Sequence, residues 1–313
     1  MAKMAKKTKA LFLFSGGLDS LLGAKLLEQQ GIKVDLVFFE SYFFKADQAR
    51  RSARANGLKL KIVDLSEEQL SIVRSPRHGY GQGFNPCIDC HALMLQRARE
   101  IMDEGDYDFV ATGEVLGQRP MSQTKDRLKL VEKESGLQGF LLRPLSAKMM
   151  QITIPEKQGL VDRQKLEDIS GRSRKRQLAL ARKFKLTDYP TPAGGCLLTD
   201  LEFSKRLKGL LEKRKQISES DIELLKVGRH YWEGKHKIVV GRDEAENKRL
   251  ARLAVSGDVL VMMKKVAGPT TLVRSYGSGR SAPARIIEKA RELTQQHASR
   301  ARGKEVEFRE KRI

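Results

Sequence analysis

Long apolar runs are absent from this 313-residue chain. None approaches the roughly 20 residues that a membrane-spanning helix needs, so no membrane partner is expected. Cysteine is scarce: three residues, an odd number, argue against a disulfide framework and for a reducing compartment. The start is basic, but the apolar stretch at 11–14 is too short for the core of an export signal, and the expected location is the cytoplasm. Aromatic residues make up 6% of the chain and include a single tryptophan, Trp232. The sharpest deficit is in acid. Against 60 Lys and Arg stand 39 Asp and Glu, a formal charge of +21. Such a surplus favours a polyanionic partner, nucleic acid first. It is uneven: residues 261–304 carry ten Lys and Arg, among them Lys264, Lys265, Arg274 and Arg280, against only Glu288 and Glu292.

What is present is more specific. Residues 11–14 (LFLF) read as a buried parallel strand. The run stops at Ser15, Gly16 and Gly17, and apolar positions at helical spacing (Leu21, Leu22, Ala24, Leu26, Leu27) begin just after Asp19 and Ser20. A strand that breaks at glycines and restarts as a helix aims backbone N–H groups and a helix N-terminus at one spot, which binds phosphate. Gly16 and Gly17 admit the anion to the backbone, and Ser15 and Ser20 add hydroxyl donors. Asp19, an acid in an anion-binding loop, makes sense if Mg²⁺ bridges it to the phosphates.

Strand and helix signals alternate from residue 8 to about 150. Strands are expected at 33–40, 60–64, 109–112 and 139–145, helices at 46–56 and 90–104, and a Gly/Pro-rich loop at 74–86. This alternation implies a parallel sheet covered on both faces, with ligands beyond the carboxyl ends of the strands. Residues 15–20, Glu40, Gly113 with Glu114, and Arg143 with Pro144 all fall at such ends. Residues 162–186 read as basic helices and 190–195 as a loop. After Val227, short strands at 237–241 and 259–263 flank a helix at 244–254, and a helix at 283–300 closes the pattern. The expected division is an α/β domain of residues 8–200 and a smaller, basic α+β domain of residues 201–313.

The three cysteines lie in two loops. Cys87 and Cys90 form a C-x-x-C at the head of a helix, and Cys196 follows Gly194 and Gly195. Three thiolates on a [4Fe–4S] cluster leave one iron free for a substrate ligand. The same thiols suit zinc with His91 as a fourth ligand, or a persulfide carrier with a resolving partner, or three inert thiols. The C-x-x-C-H pattern for covalent haem is set aside, because no export signal accompanies it.

The string SGGLDS resembles the pyrophosphate loop of the N-type (PP-loop) ATP pyrophosphatases, which cleave ATP to AMP and pyrophosphate and leave AMP on a substrate oxygen. No Gly-Lys-Ser/Thr follows, so it is not a Walker loop. From Cys87 to Leu145 the chain is similar to the catalytic domain of tRNA 4-thiouridine synthases. The residues that carry the likeness are Ala111–Gln118 (ATGEVLGQ), Ser122-Gln123-Thr124 and Leu142-Arg143-Pro144-Leu145. The three-cysteine layout more closely resembles the iron–sulfur tRNA thiolases. Residues 228–232 (GRHYW) and 237–247 (KIVVGRDEAEN) are similar to the RNA-binding domain of ribosome quality-control (NFACT) factors, with Asp243 where those have asparagine.

The resemblance implies an adenine nucleotide alpha hydrolase-like fold and an ATP-dependent tRNA sulfurtransferase. Such an enzyme adenylates a uridine carbonyl and replaces its oxygen with sulfur. ATP would meet Ser15, Gly16, Gly17, Asp19, Ser20, the backbone at Phe39, Thr112, Gly113 and Arg143, with Mg²⁺ alongside and Gln118 close by. Sulfur chemistry would fall to Cys87, Cys90 and Cys196, fed by sulfide or a persulfide carrier. RNA would meet Trp232, Lys264, Lys265, Arg274 and Arg280. A non-catalytic RNA-binding protein with a relict ATP loop is the contrasting expectation. The oligomeric state, a homodimer among the options, is left open.

Overall fold

The apolar run near the start of the chain becomes a central strand in the computed structural model, which describes residues 7–119, 122–187, 189, 196–277 and 282–313. That strand, β1 (Lys9–Leu13), is followed by α1 (Leu18–Glu28), β2 (Lys33–Glu40), α2 (Asp47–Ala55), β3 (Leu60–Asp64), α3 (Ser66–Arg74), α4 (Cys87–Glu104), β4 (Phe109–Thr112), α5 (Lys125–Glu134), β5 (Leu141–Leu142), α6 (Ile154–Lys157) and α7 (Lys175–Lys183). These elements belong to the first of two units, Met1–Thr199 and Asp200–Ile313.

The five strands of the first unit pair in parallel in the order β3-β2-β1-β4-β5. Ala10 and Phe12 pack into one core with Leu21, Leu22 and Leu27 of α1. Leu11 packs into another with Leu95 and Ala98 of α4. Both faces of β1 are therefore covered, which is why its sequence is continuously apolar rather than alternating. The chain leaves β1 toward β2 on one side and reaches β4 on the other. The carboxyl ends of β1 and β4 thus form a switch point, where a crevice for ligands opens. The strand expected at 139–145 shortens to Leu141–Leu142, because residues 143–147 turn away into buried structure.

The second unit contains α8 (Leu201–Lys213), α9 (Glu219–Leu225), β6 (Arg229–Glu233), β7 (His236–Val240), α10 (Glu244–Leu253), β8 (Val259–Met263), β9 (Thr271–Ser275), α11 (Ala284–Gln296) and β10 (Phe308–Arg312). Its sheet is antiparallel in the order β10-β8-β9-β7-β6. Ile238 and Val240 face α11 on one side, and Val239 faces Leu224 and Leu250 of α9 and α10 on the other. Among the described residues, no helix is long and apolar enough to cross a membrane.

Candidate functional site

The loop after β1 is held by its own serines. Ser20 Oγ donates to Gly17 O at 2.8 Å, Ser15 Oγ lies 3.2 Å from Ser20 Oγ, and Gly17 N donates to Ser15 Oγ at 3.3 Å. Gly17 caps α1 with no side-chain acceptor on its first-turn amides, so those donors face outward for an anion. Gly16 has φ +78°, and a Cβ there would sit 2.6 Å from Ala49 Cα. Gly113, just past β4, is as constrained: a Cβ would lie 2.6 Å from Ser20 N and Cα. Only glycine lets the end of β4 reach the start of α1.

Asp19 points into this crevice. Gln118 Nε2 donates to its Oδ2 at 2.9 Å, while its Oδ1 is buried without a partner among the described residues. Burial pushes its pKa up; the Gln118 bond, then the guanidinium groups of Arg174 and Arg119, pull in the opposite direction. Gln177 of α7 stands nearby, fully buried, with both side-chain polar atoms unpartnered, as is Arg174 Nε. An orphaned carboxylate oxygen is the acceptor a divalent cation would take, and orphaned N–H groups are donors for phosphate oxygens.

Two other expected ATP contacts, Thr112 and Arg143, engage the protein's own groups. The Phe39 ring is 4% exposed in the core, leaving only its backbone for a ligand. Thr112 is buried, with its hydroxyl 3.2 Å from Glu114 Oε2. Arg143 is engaged inside the protein: Nε donates to Glu114 Oε2 and Nη1 to Glu132 Oε2, both at 2.9 Å. Its expected direct contact with ATP or base is therefore corrected to an internal cross-link between β4, α5 and the end of β5. Glu114 also meets His91 Nδ1 at 3.2 Å, which ties α4 to the crevice. Burial pushes Glu114 up, but Arg143 and His91 outweigh it and bring its pKa down to about 2.

The thiols gather elsewhere in the same unit. Cys87 opens α4 and Cys90 stands in its first turn. Asn85 Nδ2 donates to Cys87 Sγ at 3.1 Å and Gln69 Nε2 to Cys90 Sγ at 3.0 Å. Leu197 N donates to Phe43 O and Phe84 N to Leu198 O, which pins the segment after Cys196. Burial pushes Cys90 and Cys196 up to about 12, and Cys87 adds to both. Among the described residues, no three His, Cys, Asp or Glu side chains form a metal-holding group, and His91 faces Glu114 rather than serving as a fourth zinc ligand. Amide donors thus sit on two of the three free thiols.

In the second unit, Trp232 is half-buried with Lys237 Nζ 4.3 Å and Lys213 Nζ 5.2 Å from its ring and Tyr276 tilted against it at 5.7 Å. Lys264 and Lys265 are exposed and near Glu307. Arg274 is corrected from a surface contact: it is 3% exposed and binds Asp258 at 2.8 Å and Asp221 at 3.0 Å. Arg280 and residues 190–195 lie outside the described residues.

Residues 5–154 match the family model for the thiamine biosynthesis protein ThiI, and residues 228–312 match the NFACT protein RNA binding domain. Each unit thus resembles a different family. A tRNA sulfurtransferase of Desulfurococcus amylolyticus is 34% identical over 151 residues, 44% of this chain and 29% of that protein. A probable tRNA sulfurtransferase of Caldanaerobacter subterraneus is 28% identical over 152 residues, 44% of this chain and 36% of that protein. The chain spans about a third of the length of the curated relatives it matches.

Together the two family models cover the residues that sequence reasoning singled out, except Cys196. The groups that reasoning missed are Arg174 and Gln177 beside Asp19 and Lys237 beneath Trp232. Arg174 and Gln177 lie beyond the ThiI-like segment, at the N-cap and in the first turn of α7, a helix whose charged residues are all basic. Lys237 reads as a surface residue at the start of a strand, and only the cover over β7 buries it.

Proposed function

We propose that this protein is an ATP-dependent tRNA sulfurtransferase acting on a uridine. The observation that carries the reading is one unit holding both a glycine loop with an unpartnered Asp19 carboxylate oxygen and three free thiols, in a chain whose other unit resembles an RNA binding domain.

In this reading the backbone of Gly16 and Gly17, the hydroxyls of Ser15 and Ser20 and the first turn of α1 hold the β- and γ-phosphates. Asp19 would hold Mg²⁺, which supplies charge neutralisation at the phosphates. The uridine carbonyl oxygen attacks the α-phosphorus, forming an O–P bond as the bond to the leaving pyrophosphate breaks. A sulfur nucleophile then adds to the activated ring carbon, and the C–O bond breaks with AMP as leaving group. Cys87, Cys90 and Cys196 would hold a [4Fe–4S] cluster, which leaves one iron free for an added sulfur ligand. Arg143 and Glu114 act at one remove by fixing β4 against α4. The second unit would hold the tRNA through its cationic surface, so that a base can be turned out of its stack into the crevice.

The test is direct. The purified chain, given ATP, tRNA and a sulfur donor, should release AMP and pyrophosphate, and mass spectrometry of the tRNA nucleosides should find a thiolated uridine. Tight tRNA binding without AMP release would replace this reading with that of a non-catalytic RNA-binding protein.

A further inference from the structure

Among the described residues, Tyr80 is the only aromatic side chain among the large hydrophobic groups left exposed, at 41%. It is nevertheless fixed. One ring face stacks on Phe84, with centroids 4.4 Å apart and planes 17° from parallel, and its hydroxyl donates to Val73 O at 2.7 Å. A ring pinned at its edge and on one face presents its other face to solvent at a set position.

The loop that carries it also frames the thiols. Gly81 N donates to Asn85 O and Gly83 N to Asn85 Oδ1, both at 2.9 Å. The same Asn85 donates through Nδ2 to Cys87 Sγ, and Phe84 N donates to Leu198 O, two residues past Cys196. Tyr80, Phe84 and the sulfurs thus share one scaffold. The same stretch holds Arg74, Arg77 and His78, with Asp89 just beyond it. Arg77 and His78 are steadied by Glu134 and Asp89.

We propose that the open face of the Tyr80–Phe84 stack is a docking platform for a pyrimidine base of single-stranded RNA, which it holds beside the three thiols. Every base offers a flat π-face, and an aromatic ring that is ordered and exposed is how proteins seat an unstacked base. The choice of uracil rests on the thiolation reading above; the platform does not.

The experiment uses the full chain and an oligouridylate carrying 5-iodouracil, which on irradiation crosslinks to the aromatic ring it stacks on. Mapping the crosslink by mass spectrometry should find Tyr80. Tyr80→Ala should abolish that crosslink and raise the KM for tRNA in thiolation about tenfold, the weight of one lost base stack. Its affinity for ATP, read by calorimetry, should be unchanged. Tyr80→Phe keeps the ring and should retain both properties, which separates stacking from loss of the Val73 bond. Crosslinks confined to other residues, with Tyr80→Ala at wild-type KM, would overturn the platform while leaving thiolation intact. A crosslink at Tyr80 in a chain that makes no thiolated uridine would overturn the thiolation reading and keep the platform.

Discussion

Asp19 and Lys237 are both buried without a hydrogen-bond partner for a polar atom, and each has its own consequence. Asp19 sits where an acid is costly unless a cation completes it. Asp19→Ala should cut AMP and pyrophosphate formation by roughly 10²-fold or more, while tRNA affinity in a filter-binding assay stays at the wild-type level. Pyrophosphate formation near the wild-type rate would remove Asp19 from metal binding. Lys237 is fully buried against Trp232, and burial, with Arg206 adding, brings its pKa down to about 7. The unfolded chain holds that proton up to the usual lysine range near 10.5, so between about 7 and 10.5 it binds more protons than the folded protein does. Stability should therefore rise with pH across that window. Thermal unfolding followed by Trp232 fluorescence should show that rise. Lys237→Met should flatten it and raise stability at neutral pH by more than ~1 kcal/mol.

The cysteine helix and the crevice beyond β1 and β4 are joined through Glu114, which meets His91 of α4 and Arg143 past β5. Removing one partner of a buried charge pair leaves the other uncompensated, so Glu114→Gln should cost roughly 3–5 kcal/mol. The folded pKa of about 2 lies below the usual carboxylate value of 4.5. The stability it contributes is thus fully present above 4.5 and is lost as pH falls toward 2. In acid-unfolding curves that loss should be smaller in Glu114→Gln than in the wild type. α4 also tests the sulfur chemistry. Purified without air, the protein should be brown, with a shoulder near ~400 nm and about four irons per chain, and substitution of Cys87, Cys90 or Cys196 should remove both. A colourless, iron-free protein with full thiolation activity would point to a persulfide instead. The elements on which this rests were unevenly legible. The strand at 109–112 stands out because burial on both faces demands an unbroken apolar run, whereas those at 33–40 and 60–64 carry it only in part, the latter lying at the sheet edge. β6 and β10 do not, since RHYWE and FREKR lie at the edges of their sheet, where charged residues are tolerated.

Over the whole molecule the charge of +21 has a measurable signature. Each phosphate contact releases counterions, so tRNA affinity should fall steeply with salt, and Lys264→Ala with Lys265→Ala should lower the slope of log Kd against log salt by about 1 each. An unchanged slope would take these two lysines, exposed as they are, out of the interface. The surplus, the glycine loop at residues 15–20, the C-x-x-C at Cys87 and Cys90 and the change of texture near residue 227 were all present in the sequence, because each depends on residue type and short-range spacing. The tertiary structure alone decided which charges face water. Arg274 lies in the basic stretch 261–304 but folds inward onto Asp221 and Asp258, 53 and 16 residues away. Arg143 stands at a strand end but turns onto Glu114 and Glu132. Arg174 and Gln177 stand beside Asp19 from some 155 residues later in the chain. A side chain's type determines what it can bind. Whether it binds a ligand or its own protein depends on partners that only chain closure over such distances brings within reach.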